Sequence, residues 1–124
     1  MMLEAHQGYR NTRDTTASPR AVERGLLRQI AGELEAAGDD YKALVRAIHR
    51  NTELWTALTV DVAGPANGLP EALRAGLISL AAFAARHGAN VLSGEADVAA
   101  LIEINRNVAA GLEQATDVQI ADAA

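Results

Sequence analysis

Few side chains in this sequence are of a type that does chemistry, and their spacing narrows what they can do. The three histidines are His6, His49 and His87. No two of them stand at the i, i+4 spacing that a helical zinc site requires, and no Glu-x-x-His run suggests a di-iron bundle. His49 and Glu53 are one turn apart, which suits a solvated side-chain pair. The neighbouring carboxylates Asp39 and Asp40 precede a helical pattern and read as caps. "GPANG" has glycines, but neither the spacing nor the preceding strand of a phosphate-cradling loop, and no serine stands in a nucleophile elbow. The expectation is a protein that is not an enzyme, with no metal and no cofactor.

Two amides are more informative. In "DVAALIEINRNVAAGLEQ", residues Val98, Leu101, Ile102, Val108, Ala109 and Leu112 form an apolar helical stripe, and Asn105 lies in its middle. Asn51 lies on a second stripe, between Ile48 and Trp55. A buried amide must have its hydrogen bonds satisfied, so two readings stand side by side. Asn51 and Asn105 bond each other or a nearby backbone and fix how the helices pair. Alternatively they lie near the mouth of an unsealed groove that a partner helix completes. On that second reading Asn105→Leu leaves stability intact and weakens binding. Trp55 is expected to pack beneath such a groove as a core anchor, with the two amides nearer its opening.

These residues need helices to place them. Twenty-seven alanines favour helix, and no stretch alternates apolar and polar long enough for a strand. Ser18 as N-cap and Pro19 at the first turn open a helix that Gly38 ends. Val22, Leu26, Leu27, Ile30, Ala31 and Leu34 form its stripe; Gly25 and Gly32 within it permit close packing or are merely tolerated. Asp39 or Asp40 caps the second helix, whose face carries Tyr41, Leu44, Val45, Ile48, Trp55, Leu58 and Val62. After the breaker-rich loop from Gly64 to Pro70, a third helix runs through Leu73, Leu77, Leu80, Ala81 and Ala84, with Ile78 and Phe83 beside that stripe. Its wide stripe marks it as the most buried, and Gly88 is expected to close it. "GANVLSG" reads as a second loop. Ser93 or Asp97 starts the fourth helix, which fades after Leu112. The expected architecture is all-α: a small antiparallel bundle of about four helices over residues 18–116, a polar N-terminal arm over 1–17, and a frayed acidic tail over 117–124. Leu58, Leu77, Leu101 and Leu112 join Trp55 as structural core.

Composition removes several function classes. The net charge is −5, and no segment gathers the cations, so neither nucleic acid nor an anionic membrane surface is an expected partner. The longest apolar stretch, "AGLISLAAFAA", is too short to span a bilayer. There is no cysteine, and the N-terminal residues lack the pattern of a signal peptide. The expected location is the cytoplasm.

Three segments in order carry a family resemblance: "NTELW" (Asn51 to Trp55), "LPEALR" after the breaker loop (Leu69 to Arg74), and "LIEINRNVAAGL" (Leu101 to Leu112). Together they resemble the flagellar biosynthesis regulator FlaF, and the likeness runs from Tyr9 to about Leu112. The resemblance implies a cytoplasmic bacterial protein of flagellum biogenesis. It implies a chaperone that binds flagellin for secretion and supports its synthesis, working beside a second regulator, FlbT. A post-transcriptional regulator or scaffold acting with FlbT on flagellin mRNA is the alternative. No catalytic residues come with the family. The candidate partner-binding residues are then Tyr9 in the arm, Asn51 and Leu54 in "NTELW", and Asn105, Arg106 and Asn107 in the "INRN" segment.

Overall fold

The computed structural model describes residues 19–64 and 68–123, with side chains within 24–114. Four helices follow one another: α1 (Pro19–Ala37), α2 (Tyr41–Ala63), α3 (Glu71–Leu92) and α4 (Ala99–Ala123). No strand occurs among the described residues, and no helix there is long and apolar enough to cross a membrane. The small all-α bundle follows from the four amphipathic segments.

Local chemistry sets most of the boundaries. Gly38 takes φ +51°, the left-handed conformation that ends α1 at no steric cost. Asp40 then caps α2, its carboxylate accepting the Ala43 N–H at 3.1 Å. The α2–α3 turn is tied by Arg74, whose Nε donates to the Val62 carbonyl at 2.8 Å and so satisfies one of the open carbonyls at the end of α2. Pro70 stands as the N-cap of α3, one position ahead of the helix. The Asp97 carboxylate accepts the Ala99 N–H at 2.7 Å at the start of α4. Ser18, expected as the cap of α1, lies outside the described residues, as does the arm.

Several boundaries and faces differ from expectation. Gly88 does not close α3. It is buried inside the helix, where a side chain would meet Ile48 Cγ2 at 3.2 Å, so its bareness lets α2 approach. The left-handed stop falls instead at Gly94, φ +81°, after Ser93. "GANV" is therefore helix. Helix α4 also continues past Leu112 to Ala123. The ion pairs Arg28–Glu113 and Arg106–Glu35, two turns apart on each helix, fix α1 and α4 antiparallel. That register carries the start of α1 alongside the last turns of α4.

The core is aliphatic around one tryptophan: Leu27, Ile30, Leu34, Leu58, Val62, Leu77, Leu101 and Leu112 with Trp55. Helix α1 packs along α4 and α2, and α2 packs along α3, whereas α3 barely approaches α4. This leaves α3 the least enclosed of the inner helices rather than the most. Its buried residues are Leu77, Ala84, Gly88 and Val91, and Ile78 is exposed. Tyr41 and Val45 also leave the core. Tyr41 lies at the first turn of α2, where its hydroxyl reaches out to donate to the Leu92 carbonyl at 2.9 Å and clasps the end of α3. Gly25 and Gly32 have open space where a Cβ would stand, so neither serves close packing.

Candidate partner-binding site

The two asparagines meet. Asn105 on α4 donates from Nδ2 to Asn51 Oδ1 on α2 at 2.7 Å, and accepts at Oδ1 from Trp55 Nε1 at 3.0 Å. A longer contact, 3.5 Å, runs from the same Nδ2 to the Leu27 carbonyl of α1. Asn51 and Asn105 are 1% and 0% exposed, and Trp55 is 2% exposed. No backbone approach joins α2 and α4, and these hydrogen bonds reach between them across the shared core. In a low-dielectric interior such satisfied polar bonds select one pairing of helices over shifted alternatives.

This placement corrects part of the sequence reading. Asn51, Asn105 and Leu54 are buried and offer a partner no surface. The amides lie deeper than Trp55, not nearer an opening, and Asn105→Leu cannot be neutral because it strands two buried polar atoms. Arg106 and Asn107 are exposed on α4, and Arg106 pairs with Glu35 at 3.1 Å. Tyr9 lies outside the described residues. Trp55, Leu58, Leu77, Leu101 and Leu112 are all in the core. The structure brings Asn51, Trp55 and Asn105 together and leaves Arg106 and Asn107 apart from them on the outside.

A surface feature that the sequence reading missed lies between α2 and α3. An open groove of about 350 Å³ is lined by Thr52, Trp55, Thr56, Thr59 and Val60 of α2 and by Ile78, Ala81, Ala82 and Ala85 of α3. No charged residue lines it. Its three hydroxyls are turned into the helix: Thr52, Thr56 and Thr59 each donate to the carbonyl four residues back, at 3.1, 2.9 and 2.8 Å. The groove is therefore apolar in effect, with Trp55 in its wall. Among the described residues, the exposed large hydrophobics are Tyr41, Val45, Val60 and Ile78, and all belong to these two helices. The signals for it were the width of the α3 stripe and the Thr52, Thr56, Thr59, Val60 run beside the α2 stripe. The exposed His49 and the half-buried Glu53 form a one-turn pair at 3.7 Å on α2, outside the groove.

The chain matches one family model, flagellar protein FlaF, over residues 5–112. The chain belongs to the FlaF family. No curated protein and no solved structure matches it significantly. The FlaF match ends at Leu112, which is buried against the rest of the bundle. It takes in α1, α2 and α3 entirely, and with them the buried amide cluster and the groove. FlaF membership makes this a flagellar protein.

Proposed function

We propose that this FlaF-family chain is a cytoplasmic flagellin-binding secretion chaperone that supports flagellin synthesis and filament assembly. One observation carries the reading beyond family membership. The large apolar residues that the described fold leaves exposed all lie on α2 and α3, and two of them, Val60 and Ile78, line an uncharged groove. Flagellin's terminal segments form amphipathic helices in the filament, so before assembly their apolar faces need cover. A helix laid into a groove between two helices is a standard way to provide it. This role involves no catalytic step, metal or cofactor. A direct action on flagellin mRNA, alone or with FlbT, is less well supported, because a chain of net charge −5 lacks a basic footprint for phosphate.

Size-exclusion chromatography of the purified chain mixed with flagellin monomer tests the proposal. Co-elution in one earlier peak is expected. Separate elution of the two proteins at concentrations of tens of micromolar would overturn it.

A further inference from the structure

We infer that the outer face of α2 and α3 docks a second copy of this chain, in an antiparallel two-fold dimer. The inference goes beyond the chaperone reading and stands without it. The groove between the two helices is only the middle of this face. On α2, Tyr41, Val45, Thr52, Thr56 and Val60 are exposed and recur at steps of four, seven, four and four residues, so they share a side of the helix. On α3, Ile78, Ala82, Ala85 and Ala89 are exposed and recur at steps of four, three and four. None of these residues is charged, so two acidic copies can meet here without setting like charges in contact.

The face complements itself. Gly88 stands against Ile48, and Arg74 reaches Val62, which fixes the level of α3 on α2. The midpoint between Val45 and Val60 on α2 is then level with the midpoint between Ile78 and Ala89 on α3. A two-fold axis lying in the face at that level, across both helices, sets each helix antiparallel to its copy. It brings Val45 onto Val60 of the other copy. It also brings Ile78 onto Ala89 of the other copy, a large side chain over a small one. Thr52, Thr56, Ala82 and Ala85 fall near the axis, where their small size lets the copies approach. The hydroxyls of Thr52 and Thr56 are already bonded within α2, so covering them strands no donor. Area favours a second copy over a lone helix. With 23 residues in α2 the face is about 34 Å long, and two helices side by side are about 20 Å wide. That gives roughly 700 Å² per copy, close to the roughly 800 Å² per partner of a standard interface. One helix, about 10 Å across, would cover half of it. A client that uses the groove must first part the dimer, so the dimer guards the face until a client competes for it.

Sedimentation of the full chain alone, from about 1 to 300 μM, reads the dimer directly. A concentration-dependent rise to twice the mass of the chain is expected; a monomer throughout overturns the inference. Ala82→Glu and Thr56→Glu, each checked for native helix content, set like charges of the two copies near the axis. Both should weaken the dimer by about thirtyfold or more, while Asn107→Glu, exposed on α4, dimerises as the parent does. A dimer indifferent to both face variants removes this face. The chain has no cysteine, so disulfide formation can read the pairing across the axis. Val45→Cys mixed with Val60→Cys should cross-link faster than Val45→Cys mixed with Asn107→Cys; equal rates overturn the antiparallel arrangement. No flagellin enters these measurements, so their failure leaves the chaperone reading as it was, and a failure of flagellin binding leaves the dimer.

Discussion

Asn105 is donor and acceptor in the same buried cluster, and that dual role sets the outcome of replacing it. Asn105→Leu leaves Trp55 Nε1 and Asn51 Oδ1 without their partner. Each stranded group costs about 1–3 kcal/mol. A urea transition should therefore show a loss of roughly 2–5 kcal/mol, a large part of what a small domain has. The combined change Asn51→Leu, Asn105→Leu and Trp55→Phe removes all three polar ends together and should recover much of that loss. A single Asn105→Leu variant as stable as the parent would refute the hydrogen-bonded cluster. Arg106 makes the contrast, since its pair with Glu35 is exposed. Arg106→Ala should change stability by less than about 1 kcal/mol in the same assay. At this scale the sequence showed that two amides sit on apolar stripes, because helical spacing is a local property. It did not show what they bond, because the bonds span 50 and 54 positions of chain and no single-helix period reports on that.

The helices differ in how their glycines are used. Gly25 and Gly32 of α1, Gly76 of α3 and Gly111 of α4 all have open space where a Cβ would be, and Gly88 of α3 has Ile48. Alanine at each of the four open positions should raise stability by about 0.5–1 kcal/mol through helix propensity and a less flexible unfolded chain. Gly88→Leu should lower it by about 1–3 kcal/mol by forcing α2 and α3 apart. Thermal melts of the five variants check both signs; a stabilised Gly88→Leu protein would contradict the close approach at Ile48. Helix starts were legible because Pro70, Asp40 and Asp97 act on their own neighbours. The end of α3 was not. Gly88 and Gly94 are both plausible stops by composition, and the choice is made by α2, whose Ile48 occupies the space a side chain at 88 would need.

For the molecule as a whole, packing is uneven. Helix α1 is embraced by α2 and α4, whereas α3 rests on α2 and has little contact with α4. Local opening should follow that asymmetry. In native-state hydrogen exchange, amides of α3 should open at lower free energy than those of the central turns of α1 and α4. Equal protection across the four helices would argue that the bundle opens only as one unit. The all-α bundle was readable from four amphipathic segments. The thinly packed fourth side and the α2–α3 groove were not, since both depend on how helices sit relative to one another. The width of the α3 stripe was visible, but width alone does not say whether a face is covered by the same chain or left for another.

Trp55 is the single tryptophan of the chain, and it borders both the groove and the amide cluster. The protein thereby carries its own optical probe at the junction of the α2–α3 groove and the core, with no label to add. Emission read with an external quencher separates two events. At 2% exposure the indole is already screened, so a helix seated in the groove should leave both its quenching and, with the hydrogen bond to Asn105 intact, its emission maximum in place. Loosening of α4 should break that bond and shift the maximum toward the red. One intrinsic signal can thus show, through a whole titration, whether the fold around Trp55 stays closed.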